Sequence, residues 1–160
     1  MLDQLIIFTA KYLFLVLPVA GFLWFIQLPI RAKKEALLLG LVTGVLALAL
    51  GRLAAMFFFD PRPFVAGHFT PLMPHAPDNG FPSDHTLLSS AIAMTVFLRN
   101  RRIGALLWFL VLLVGAGRIA SGLHSPIDVA GSIAFSIVAG LLADSVARRV
   151  FSEFGRKQET

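Results

Sequence analysis

Apolar residues run along this chain in long blocks separated by short polar punctuation. Uninterrupted apolar runs of about 18 residues or more are the mark of helices that cross a bilayer. On that pattern the sequence predicts five membrane helices, at roughly 5–26, 36–59, 85–98, 103–121 and 126–147. The third is short for the ~20 residues a bilayer requires, so it starts below the membrane surface or packs inside the bundle. One long connection, 60–84, breaks the pattern and is rich in Pro, Gly and His. Irregular backbone of that length is tolerated only in water or against protein, and long ordered loops are commonly functional. The expectation is an all-α, polytopic integral membrane bundle, one domain over 1–160, ending in a polar tail at 150–160.

Composition agrees. Of the 160 residues, 57% are hydrophobic and 14% charged, against roughly 25% charged in soluble domains. With no cysteine, disulfide frameworks and thiolate metal sites are excluded. A net charge of +5 raises the question of a nucleic-acid partner. The basic residues, however, cluster between apolar runs: Arg31, Lys33 and Lys34; Arg99, Arg101 and Arg102; Arg148, Arg149, Arg156 and Lys157. Five crossings put all three clusters on one side, which the positive-inside rule makes the cytoplasm. Membrane topology thus accounts for them without nucleic acid. Trp24 and Trp108 then fall near the inner interface, and the tail is cytoplasmic. The N-terminus lacks the basic stretch and cleavage site of a signal peptide, so the first apolar segment reads as a retained helix.

Four basic residues lie outside those clusters: Lys11, Arg52, Arg62 and Arg118. They fall on the outward side, together with His68, His75, His85 and His124. Ionisable residues at membrane depth that topology does not explain point to function. Three stretches hold most of them. In "DPRPF" (60–64), flanking prolines restrict the backbone around Arg62, whose planar fork suits phosphate oxygens. In "PSDH" (82–85), Ser83 opens a helix whose free N–H groups, at Asp84 and His85, form an anion cradle. In "GRIASGLHSPID" (117–128), Ser125 is an N-cap with Pro126 at the first helical position. Asp128, four residues after His124, reaches back to hold one imidazole nitrogen and leaves the other free to attack.

Each residue alone has a plainer reading. An arginine at a membrane boundary snorkels, Ser83 caps a helix, and His124 with Asp128 makes a structural pair. His68 and His75 read as loop residues. Two arginines, two histidines, a serine and an aspartate on one face together favour an oxyanion site. Two histidines and an aspartate also suit a metal, and "HAPD" (75–78) is a weaker metal candidate. Two arginines beside them would repel a divalent cation, so neither metal nor cofactor is expected.

The three blocks resemble the signature of the type 2 phosphatidic acid phosphatase superfamily, which includes the vanadium haloperoxidases. That signature reads Lys, six residues, Arg-Pro; Pro-Ser-Gly-His; and Ser-Arg, five residues, His, three residues, Asp. Arg62-Pro63, Pro82-Ser83-Asp84-His85 and Arg118…His124…Asp128 match it in order and spacing across about 60–131. Within the superfamily, "DPRPFV", "PHAPDNGFPSDHT" and "RNRRIG" are most similar to undecaprenyl-diphosphate phosphatases of the bacitracin-resistance type. The resemblance implies a bacterial plasma-membrane enzyme that removes the terminal phosphate of a polyprenyl diphosphate at the outer face and recycles the lipid carrier of cell-wall glycans. By the same resemblance His124 is the nucleophile and forms a phosphohistidine, which Asp128 orients. His85 is the proton donor, and Arg62, Arg118 and Ser83 hold the phosphoryl oxygens. The same chemistry on phosphatidylglycerol phosphate or phosphatidic acid is the nearest alternative. A non-enzymatic lipid-phosphate or anion transporter is the competing class, but it needs polar residues through the bilayer midplane.

The chain departs from the signature in three places. Ala55 stands at the lysine position, and Arg52 or Lys11 is expected to supply the missing charge. Gly117 replaces serine. Asp84 replaces glycine, and its carboxylate either joins the phosphate site or points outward beside the helix N-terminus. The superfamily commonly has six core helices and five are legible here, leaving packing for a partner chain in a homo-oligomer.

Overall fold

The computed structural model describes residues 1–156, with side chains through residue 150. The polar tail expected at 150–160 continues the last helix through residue 156, and 157–160 lie outside the described residues. The α-helices are, in order, α1 (Leu2–Lys11), α2 (Val16–Ile26), α3 (Ile30–Phe57), the short α4 (Pro63–Ala66), α5 (Asp84–Phe97), α6 (Arg101–Ala120) and α7 (Pro126–Arg156). No strand occurs among the described residues.

The first expected span is two helices, with a 3-10 turn at Leu13–Leu15 between α1 and α2. Pro18 accounts for the break. It has no N–H for the carbonyl of Phe14, and its ring would collide with that carbonyl in a continuous α-helix. In the first turn of a new helix the same proline is tolerated. The second span starts at Ile30 rather than 36, because extended Pro29 (φ −64°, ψ 156°) launches α3 there. Arg31, Lys33, Lys34 and Glu35 form its first turns, and Arg31 approaches Glu35 to 3.6 Å. A helix of 28 residues is ~42 Å long, so these charges lie beyond a ~30 Å hydrocarbon layer.

Four segments are long and apolar enough to cross a membrane: Leu2–Ile26, Ile30–Phe57, Arg101–Ala120 and Pro126–Val150. Leu37, Leu41, Leu48, Phe109, Leu112 and Leu141 project from them uncovered. An apolar exterior on that scale belongs in lipid, and the protein is a membrane protein.

α5 is the helix the others surround. With 14 residues it reaches only ~21 Å, and it packs on α2, α3, α6 and α7. Thr86, Ser89, Ser90, Ala91, Ala93 and Thr95 are buried along it; such small residues let helix backbones approach closely in a membrane. Ser90 Oγ lies 2.7 Å from both Ser136 Oγ and the Thr86 carbonyl. Ser132 Oγ lies 2.9 Å and 2.8 Å from the carbonyls of Ser83 and Asp128. This seam ties the start of α5 to the start of α7. At the other end, Arg99 Nη1 and Arg148 Nε reach the two carboxylate oxygens of the buried Asp144, at 2.6 Å and 2.8 Å. Trp24 is no interfacial anchor: it is buried in a core cluster with Leu17, Ala36, Val96 and Leu107.

Gly117 has a packing reason. A Cβ there would lie 2.9 Å from the backbone nitrogen of Ala10 and 3.0 Å from Thr9 Cβ, so α1 sits directly on this face of α6. Restoring the signature serine with Gly117→Ser is expected to lower stability by about 1–3 kcal/mol. A thermal melt of the detergent-solubilised protein checks this, and an unchanged or higher midpoint would contradict the close packing.

Candidate active site

Three segments far apart in sequence meet at one end of the bundle. The first is anchored by a side chain from the long loop. Asn79 Oδ1 accepts from the backbone nitrogens of Asp60 (2.9 Å) and Phe81 (3.0 Å), and its Nδ2 donates to the Phe58 carbonyl at 3.0 Å. The Gly80 amide donates to the Asp60 carbonyl at 2.8 Å. The loop is thereby zipped to the end of α3. Arg62 is caught between, with its side chain 6% exposed. Its Nε donates to Asp78 Oδ1 at 2.7 Å and its Nη1 to the Leu123 carbonyl at 3.0 Å. Pro63 at the first position of α4 fixes the chain on the far side of Arg62.

The third block positions His124. Gly122 turns the chain after α6 at φ +76°, a left-handed geometry that disfavours side chains. As expected, α7 then begins at Pro126 behind Ser125. The Ser125 amide donates to Asp128 Oδ2 at 2.8 Å, and the Asp128 amide lies 3.4 Å from Ser125 Oγ. That reciprocal cap holds the carboxylate back toward residue 124. Ser125 Oγ also donates to Asp60, tying the first block to the third.

His124 sits 3% exposed between opposite chemistries. Its Nδ1 faces two acceptors, the Gly80 carbonyl at 2.9 Å and Asp128 Oδ2 at 3.2 Å. Its Nε2 faces two guanidinium donors, Arg118 Nη2 at 3.0 Å and Arg62 Nη1 at 3.3 Å. A neutral imidazole has one N–H and one lone pair, so Nδ1 carries the proton and Nε2 presents the lone pair. Burial holds the His124 pKa below the usual 6.5; the Asp128 hydrogen bond opposes that shift, and the charges of Arg118 and Arg62 add to it. At neutral pH the ring is therefore neutral, and its lone-pair nitrogen lies among cations.

A cavity of about 300 Å³ opens beside it, walled by Arg52, Arg62, Asp78, Asp84, His85, Arg118 and His124, with Ala55 in the wall as well. The buried Nε–H of Arg118 has no hydrogen-bond partner among the described residues, while the residue itself lines the cavity. His85 packs edge-on against Phe14, ring centroids 4.3 Å apart. Asp84 lines this cavity with its carboxylate 3.8 Å from Arg52, both side chains largely exposed.

Two sequence candidates take other places. Ser83 is wholly buried and not among the cavity residues; its Oγ accepts from Thr86 Oγ1 at 3.1 Å. Lys11 is not among the cavity residues; its Nζ lies over the Tyr12 ring, 5.2 Å from the centroid. Two residues that matter were not singled out from sequence as part of the phosphate site. Asp78, noted only as half of a weak metal pair with His75, is the ion partner of Arg62, and the hydrogen bond from Arg62 holds its carboxyl below the usual range. Asn79 is the loop's tether. Among the described residues no three His, Asp or Glu side chains gather as a metal cluster.

Burial and the two flanking guanidinium groups keep His124 neutral until the pH falls below the ordinary histidine range. The acid limb of kcat/KM, which reports the free enzyme, is expected below pH ~6.5. A pH–rate profile checks it, and a limb above that value would contradict the buried, cation-flanked ring.

Residues 35–151, which hold all three blocks, match the PAP2 superfamily. The undecaprenyl-diphosphatase BcrC of Bacillus subtilis strain 168 is 37% identical over 141 residues, 88% of this chain and 72% of that protein. The bacitracin transport permease protein BcrC of Bacillus licheniformis is 31% identical over 144 residues, 88% of this chain and 70% of that protein. The crystal structure of LpxE from Aquifex aeolicus superposes with a TM-score of 0.65 at 26% identity, covering 89% of this chain and 84% of that one. By its matched residues, its relatives and its fold, the chain belongs to the PAP2 superfamily.

Proposed function

We propose that the protein is an undecaprenyl-diphosphate phosphatase that works through a phosphohistidine on His124. The observation that carries this reading is the polarised imidazole, its Nδ1 against Asp128 and its Nε2 between two arginines. The similarity to the Bacillus subtilis undecaprenyl-diphosphatase supports the substrate class.

In the first step His124 Nε2 attacks the terminal phosphorus. The bond from that phosphorus to the bridging oxygen breaks, and the lipid monophosphate leaves. Arg118 and Arg62 hold the phosphoryl oxygens, Arg62 giving up its hold on Asp78. Asp128 balances the charge that appears on the imidazole as its Nε2 becomes bonded. His85, in the cavity wall, gives a proton to the leaving phosphate. It then takes one from the water that attacks the phosphohistidine, releasing inorganic phosphate and restoring the ring. Catalysis of this kind rests on positioning and charge stabilisation. Ser83 supports the start of α5 from behind rather than touching the phosphate.

The site faces the outer side of the bacterial plasma membrane in this reading, with the basic clusters and C-terminus in the cytoplasm. One relative is named as a transport permease, yet the buried polar seam here suits no conduction path. Ser89, Ser90, Ser132 and Ser136 are fully buried, and Ser90, Ser132 and Ser136 bond to one another or to carbonyls.

Purified protein in chelator is expected to release phosphate from undecaprenyl diphosphate faster than from phosphatidylglycerol phosphate or phosphatidic acid. His124→Ala should abolish release, and Arg118→Ala should lower kcat by about 10²–10³-fold. Wild-type release no faster than His124→Ala, or release that returns only with a divalent ion, would contradict the mechanism.

A further inference from the structure

We propose that Arg52, oriented by Asp84, is a subsite for the lipid-side phosphate of a diphosphate substrate, and so favours diphosphates over single phosphates. This rests on the phosphatase reading above and names the part of the site that selects the headgroup.

The spatial order of the chain's own groups carries the argument. Beside the polar cavity of about 300 Å³ lies an apolar slot of about 440 Å³ between α3 and α5, walled by Gly44, Ala47, Leu48 and Leu87 among others. Arg52 and Asp84 are the two residues that line both spaces. A polyprenyl diphosphate has the same order along its length: terminal phosphate, lipid-side phosphate, hydrocarbon. With the reacting phosphorus at His124 and the hydrocarbon in the slot, the lipid-side phosphate falls at the junction where Arg52 stands.

Charge points the same way. Arg62 and Arg118 converge on His124 and serve the reacting phosphate. Arg52 has a different partner, Asp84, at 3.8 Å with side chains 68% and 67% exposed. A pair so open to water is weak, so a phosphate with its higher charge displaces the carboxylate readily. Until then Asp84 keeps the guanidinium at the junction rather than deeper among the other arginines. Arg52 therefore does not replace the signature lysine at the reacting phosphate; it reads the next phosphate along.

The test uses the full chain in detergent with farnesyl diphosphate as substrate, and inorganic phosphate and methylenediphosphonate as competing inhibitors. Arg52→Ala is expected to raise the KM and the Ki of methylenediphosphonate at least tenfold, while the Ki of inorganic phosphate changes less than threefold. Arg52→Lys should recover part of the loss and serves as the second variant should the alanine protein fold poorly. An equal rise in both inhibition constants would assign Arg52 to the reacting phosphate and overturn the proposal, as would no rise in either. Failure of the phosphatase reading looks different, because wild type would then release no more phosphate than His124→Ala.

Discussion

The structure depends on one imidazole held between opposite charges. His124 has acceptors at Nδ1 and guanidinium donors at Nε2, and this arrangement alone decides which nitrogen carries the proton. Two buried arginines beside each other repel, and burial penalises both. They persist because each has its own anchor: Arg62 on Asp78 and the Leu123 carbonyl, Arg118 on the Ala10 carbonyl at 3.4 Å and the His124 ring. A site that concentrates positive charge in this way is prepared for an anion with several oxygens.

The rest of the fold holds those anchors still. Arg118 rides on α6, which α1 covers at Gly117. Asp128 and Ser83 are coupled through Ser132, so α5 and α7 share one register at the site. Arg99, just past the end of α5, holds the same two helices at the opposite end through Asp144, which Arg148 of α7 also reaches. The long loop has only the short α4 to stiffen it, and hydrogen bonds of the Asn79 side chain brace the rest.

Much of the site was legible in the sequence, because its spacing is local. His124 and Asp128 stand one helical turn apart, Pro126 and Ser125 mark the helix start, and Arg62 lies between prolines. The helices were equally plain from hydropathy. What escaped were contacts that join distant segments. The Asp78 pair with Arg62 spans sixteen residues of loop, and no periodicity announces it. Ser83 looked like a phosphate ligand from its place before a helix, but whether a hydroxyl faces the cavity or Thr86 depends on how α5 docks. Lys11 lies beside Ala10, whose carbonyl meets Arg118, but its own side chain turns over the Tyr12 ring, a rotamer that sequence does not announce. Arg52 is expected from sequence to supply the missing lysine's charge; it lines the cavity, but its partner Asp84 and the slot beyond appear only in three dimensions.

The central claim is that His124 Nε2 takes the phosphoryl group. Rapid quenching of the enzyme with undecaprenyl diphosphate labelled in its terminal phosphate tests this directly, with His85→Ala to slow breakdown of the intermediate. The account predicts an acid-labile, base-stable label on the peptide containing His124, attached at Nε2. Turnover by wild type with no such label in either protein, or a label on any other residue, would contradict it.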